Sequence, residues 1–240
     1  WLWLRSGGRE SRVAQRNLEL AYPELLDGQR EALQHDILRT TARQSLETLR
    51  LWTRPHAENL RLIRETHGAD LFAAAVAAGK GVIVAAPHYG NWELLNQWLA
   101  AQTPLAILYR PPDSALGEAF LRRVRANDDG RVTQIRAEAA GIRQLFKRLR
   151  DGGVVGILPD QQPKSGDGEF APFFGKPAYT MTLLPRLAER SGATVLFAYC
   201  ERIGELAFAL RIEPAPAGIA SSDTVIATAA LNAAVERIAR

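Results

Sequence analysis

Two short runs of the chain, Gly81-Val82-Ile83-Val84-Ala85-Ala86 and Val154-Val155-Gly156-Ile157-Leu158, contain no polar side chain. A strand with one wet face alternates apolar and polar residues; a strand covered on both faces does not. Both runs therefore predict strands in the middle of a sheet with helices on either side. Helical spacing over residues 92–101, 113–125 and 136–150 separates them from further predicted strands at 104–109 and 131–135. Downstream, the pattern predicts a helix over 180–190 ended by Gly192. Strands at 194–200 and 205–212 flank Gly204 as a hairpin. A helix over 222–240 closes the chain, with Ser222 or Asp223 as its N-cap. The alternation predicts an α/β fold: a mostly parallel, mixed central sheet sandwiched by helices.

Upstream, residues 9–79 read as helical throughout. Leu33, Ile37, Leu38, Leu46 and Leu49 recur at helical spacing, Pro55 ends that helix, and Gly79-Lys80-Gly81 breaks a short alanine-rich one. One domain is predicted over residues 1–240, a helical region (1–79) leading into an α/β core (80–240). With 240 residues, 47% of them hydrophobic, the chain can bury a core without covalent staples. The single cysteine, Cys200, excludes an internal disulfide and fits a reducing compartment. It reads as a packing thiol.

The net charge is +4, with many arginines early in the chain: Arg5, Arg9, Arg12, Arg16, Arg39, Arg43, Arg50, Arg54, Arg61 and Arg64. Each reads singly as a solvated charge; together they suit an anionic partner. Aromatics do not interleave with them, which argues against nucleic acid. No stretch is long enough to span a membrane. Trp1 and Trp3 beside Arg5 resemble an interfacial anchor.

The chemistry-bearing segment is Pro87-His88-Tyr89-Gly90-Asn91-Trp92-Glu93, just past the first buried strand. Sites in open α/β sheets form beyond the carboxyl ends of strands. On an unbroken helix, side chains five positions apart diverge by roughly 140°. His88 and Glu93 can meet only if the histidine precedes the helix on a turn, which Pro87 and Gly90 supply. Asn91 then caps the helix, and Glu93 lies in its first turn. Glu93 is expected to accept a hydrogen bond from one ring nitrogen of His88, leaving the other to take a proton from a hydroxyl. His88 reads otherwise as a helix-end packing residue. Gly-x-Ser-x-Gly, Walker and dinucleotide motifs are absent, and the four histidines are too scattered for a metal cluster. Neither metal nor cofactor is expected.

From His88 to Glu93 the sequence resembles the His-x4-acid motif of the lysophospholipid acyltransferase superfamily. The wording His-Tyr-Gly-Asn-Trp-Glu is closer to one branch, the bacterial lipid A biosynthesis acyltransferases (lauroyl and myristoyl transferases). Leu108-Tyr109-Arg110-Pro111, Arg122-Arg123-Val124-Arg125, Leu158-Pro159-Asp160-Gln161 and Pro172-Phe173-Phe174-Gly175 are similar to that branch's later blocks. The resemblance spans about residues 12 to 240 and implies acyl transfer from acyl carrier protein to a hydroxyl of a lipid A precursor or related glycolipid. His88 would be the general base and Glu93 its orienter. Arg110, Asn91, Asp160 and an arginine of the Arg-x-Arg segment, Arg123 or else Arg125, would bind substrate. Phe173 and Phe174 either line an acyl pocket or pack as a loop. The resemblance also implies the cytoplasmic face of an inner membrane, held peripherally or by an N-terminal segment beyond this chain. Gln162 departs from the family, many members of which carry a second acid there. Rival readings are a phosphatidylinositol mannoside acyltransferase, a non-catalytic lipid- or acyl-carrier-binding protein, and a thioester hydrolase.

Overall fold

The computed structural model describes residues 8–109 and 130–240. Among them, seven strands form one sheet in the order β1 (Ile63–His67), β9 (Ala207–Pro214), β8 (Thr194–Gly204), β2 (Val82–Ala85), β5 (Val154–Ile157), β3 (Leu105–Tyr109) and β4 (Val132–Arg136). Neighbours run parallel except β8 and β9, the expected hairpin. The fold is α/β with a mostly parallel, mixed sheet, as the apolar runs predict. Both runs lie at its centre, and every residue of β2 and β5 is buried.

Alternation along β2 divides the core in two. Ile83 and Ala85 face α6 (Ala139–Arg150), α7 (Leu183–Ser191) and α8 (Thr224–Ala239), packing with Leu145, Leu149, Leu187 and Leu231. Val82 and Val84 face α4 (Ala69–Ala77) and α5 (Trp92–Gln102), packing with Phe72, Leu94, Leu95 and Leu99. Each such side chain contributes about 1.5–3 kcal/mol through burial. Asp223 caps α8, its carboxylate accepting from the Val225 and Ile226 amides at 2.8 and 3.3 Å.

The N-terminal helices are α1 (Arg9–Ala21), α2 (Asp27–Thr53) and α3 (His56–Leu60). The expectation of helix throughout 9–79 fails at β1. Its side chains are mostly exposed and polar, so no apolar alternation marks it; pairing with β9 is what makes it a strand. The helix expected over 180–190 begins only at Leu183. Thr180 and Met181 finish β7 (Lys176–Met181), which pairs antiparallel with β6 (Gly168–Phe173) in a separate hairpin. Here strand pairing and the β-branched Thr180 outweigh helical spacing. Arg136 belongs to β4, so α6 starts three residues later than expected. The helix predicted at 113–125 lies outside the described residues.

Candidate active site

β2 and β5 are adjacent, parallel and in register, with Ala85 opposite Ile157. The ladder continues one step further through the Ala86 amide, which donates to the Ile157 carbonyl at 2.9 Å. Three residues past Ala85 stands His88; three residues past Ile157 stands Asp160. Equivalent positions on register-paired strands bring the two side chains together across a sequence separation of 72. The Asp160 carboxylate holds His88 twice: Oδ2 accepts from the backbone amide at 2.7 Å, and Oδ1 lies 2.8 Å from the ring Nδ1. With Asp160 ionised and the ring neutral, Nδ1 carries the hydrogen and Nε2 the lone pair. The side chains keep 38% and 21% of their surface exposed, enough for a substrate to reach them.

The turn carrying His88 is fastened to β8. Gly90 has φ +65°, and a Cβ there would lie 1.9 Å from the Cys200 carbonyl oxygen. Glycine is required because the two backbones touch: Gly90 bridges to Cys200, and the Asn91 amide donates to the same carbonyl at 2.8 Å. Burial pushes the Cys200 thiol up to about 12, so it stays protonated and serves as packing. Tyr89 leans the other way, its ring edge-on to Tyr199 at 5.5 Å and its hydroxyl donating to Glu201 at 3.4 Å. Burial first, then the negative Glu201, raises the Tyr89 phenol above its ordinary value.

Asn91 caps α5, its Oδ1 accepting from the Leu94 amide at 3.1 Å, while its Nδ2 donates to Glu47 on α2 at 3.3 Å. Glu93, 3% exposed, sits in the first turn, where the helix dipole favours a carboxylate. The Trp92 ring stands edge-on to His88 at 6.4 Å.

The placement of the predicted residues is therefore mixed. The turn at Pro87–Gly90 and the Asn91 cap are present. Asp160 places a carboxylate on the His88 ring, a contact that the spacing argument did not assign to it. Asn91, expected to touch substrate, is fully buried with both side-chain atoms engaged inside the protein. Phe173 ends β6 and Phe174 lies in the turn after it, where a loop was one of two readings. Phe173 packs partly against the core. Phe174 has φ +48°, and its ring contacts are Tyr22 at 5.4 Å, Phe173 at 4.8 Å and the Arg240 guanidinium at 4.6 Å. Arg110, Arg123 and Arg125 lie outside the described residues. Sequence reasoning missed the ring contact of Asp160. A signal was there: Ala86-Pro87-His88 and Leu158-Pro159-Asp160 end the two buried runs alike. Among the described residues, no helix is long and apolar enough to cross a membrane.

Residues 1–240 match the sequence pattern of a family described as "Bacterial lipid A biosynthesis acyltransferase". A lipid A biosynthesis palmitoleoyltransferase of Escherichia coli is 27% identical over 166 residues, 69% of this chain and 53% of that protein. A phosphatidylinositol mannoside acyltransferase of Mycobacterium tuberculosis is 29% identical over 157 residues, 64% of this chain and 49% of that protein. A lipid A biosynthesis acyltransferase 2 of Shigella flexneri is 28% identical over 238 residues, 95% of this chain and 74% of that protein. The chain spans about half the length of the first two relatives.

Proposed function

Given that the chain belongs to the bacterial lipid A biosynthesis acyltransferase family, we propose that it transfers a fatty acyl group from a carrier-protein thioester to a hydroxyl of a lipid A precursor. The observation that carries this reading is the double hydrogen bond between Asp160 and His88. Nε2 of His88 takes the proton from the acceptor hydroxyl as its oxygen attacks the thioester carbonyl. The tetrahedral adduct collapses, the carbon–sulfur bond breaks, and the departing thiolate recovers the proton from the imidazolium. Asp160 fixes the ring and offsets the charge it carries between those transfers. Glu93, buried in the first turn of α5, is proposed as a second carboxylate supporting the turn that carries His88. Arg110 and Arg123 or Arg125 are proposed, from the family resemblance, as counterions for acceptor phosphates or the oxyanion. Phe173 is proposed to meet the acyl chain. The contacts of Phe174 support an anchoring role instead.

The acceptor has a second reading, a phosphatidylinositol mannoside, favoured by the mycobacterial relative. An assay with acyl carrier protein as donor and both glycolipids as acceptors decides between them. His88→Ala is expected to lose about 1,000-fold in turnover while remaining folded. Full turnover in that variant overturns the mechanism.

The enzyme is proposed to work at the anionic cytoplasmic face of the inner membrane. Support comes from α2, which exposes Leu46 and Leu49 beside the exposed Arg50, with Arg54 just past its end. Sedimentation with anionic vesicles should weaken with rising salt; indifference to lipid charge refutes it.

A further inference from the structure

Along α2, between Gln44 and Leu51, the ordinary polarity of a surface helix is reversed. Leu46 and Leu49 are 69% and 52% exposed, whereas Glu47 between them is 4% exposed. Turning a carboxylate inward and leucines outward forgoes apolar burial. A buried ion pair seldom compensates in stability. Inside, Glu47 meets Arg202 of β8 through both carboxylate oxygens, with Oε1 3.0 Å from Nε, and Arg43 lies 3.6 Å away. Arg202 also donates to Gln44 at 3.0 Å. Glu47 also accepts from Asn91 at 3.3 Å. Asn91 stands between His88 and Glu93, and its other side-chain atom caps the helix that begins at Trp92.

We infer that Glu47 is a positioning residue for the acyl-transfer site: charged against Arg202, it orients the Asn91 amide, and Asn91 sets the angle at which the His88 turn leaves β2 and enters α5. This rests on the reading of His88 as the base. Glu47 does not touch substrate. It acts through Asn91, which is fully buried and so does not touch substrate either. Only one orientation of the amide serves both contacts, Oδ1 to the Leu94 amide and Nδ2 to the carboxylate. The negative charge of Glu47 selects that orientation. Helix α2 is thereby a working part of the site.

The test exchanges the two groups. Asn91→Asp keeps a good N-cap but sets two carboxylates against each other, and Glu47→Gln leaves Arg202 without its counter-charge. Asn91→Asp with Glu47→Gln restores one carboxylate, one amide and the net charge: the amide nitrogen replaces Glu47 Oε2 and donates to residue 91, and its oxygen keeps the Arg202 Nε contact at the loss of the Nη2 contact. Each single variant should lower kcat about tenfold with the acceptor KM within about twofold, since small misplacements of a base cost turnover rather than binding. The double variant should return to within about threefold of wild type. A double variant no better than the worse single overturns the proposal. Should Glu47→Gln fail to fold, Asn91→Ser retains a cap and removes only the link to Glu47; full kcat in that variant also overturns it. The Cε1–H magnetic resonance signal of His88, identified by its loss in His88→Ala, is followed in parallel. It should move in the singles and return in the double, whereas a purely stabilising Glu47 leaves it in place. That signal needs no acyl acceptor. A wild-type protein without acyl transfer therefore defeats the parent reading, while the signal still decides the role of Glu47.

Discussion

The turn after β2 and the hairpin of β6 and β7 are both blocks that the sequence marks, yet they are held in different ways. The His88 turn is tied to the central sheet by backbone groups, through Gly90 and Asn91 on the Cys200 carbonyl, to which the Asp160 carboxylate adds its double grip. The hairpin is joined to α8 largely by side chains. Asn232 donates to the Ala171 carbonyl and bonds Thr180, and Glu236 accepts from the Phe174 amide at 2.6 Å. Its outer face leaves Phe170 61% exposed beside Tyr179. Backbone-to-backbone fastening suits a proton transfer, which tolerates little displacement. Side-chain fastening leaves room to adapt to a partner of variable shape.

The contrast breaks most visibly at Asp160. Asp160→Asn should lower turnover about 100-fold, because the amide no longer offsets the imidazolium and favours the wrong tautomer. Glu93→Gln, in the buried first turn of α5, should lose less; the reverse order in a steady-state assay would give the orienting role to Glu93. Next in size is Gly90→Ala. The added carbon meets the Cys200 carbonyl and the backbone is in the left-handed region, so unfolding should become easier by about 2–3 kcal/mol in urea titrations. The Phe174→Ala variant sharpens the other side. Loss of its contacts with Tyr22 and Arg240 should lower stability by about 1–2 kcal/mol with kcat within about threefold. A tenfold fall in kcat would place that ring in the active site. The smallest effect is at Cys200. With its thiol held up near 12, iodoacetamide at pH 8 should label it only after denaturation.

The legibility of the sequence followed the same division. The buried strands announced themselves because continuous apolar runs leave one reading. So did the Asn91 cap and the Gly90 turn, which depend on neighbours in sequence. β1 was illegible: Arg64, Glu65 and Thr66 carry an edge strand's solvated surface, and only the edge of β9 makes them a strand. The Asp160 contact of the His88 ring was missed for a related reason. Spacing compares residues along the chain, so it found Glu93; the Asp160 carboxylate arrives from β5 through sheet register. Glu47 was hidden more deeply, since the hydrophobic period of α2 assigns inward positions to leucines.

The register that aligns His88 with Asp160 also sets when the site can come into being. The pair is joined by pairing β2 with β5, a closure spanning 72 residues. Long-range parallel pairing is paid for in chain entropy before it is rewarded, and it forms slowly. No fragment ending before Asp160 can form that pair, however well its own helices form. During refolding, enzymatic competence should thus lag helix formation and appear together with closure of the central sheet, making turnover a kinetic reporter of that single event.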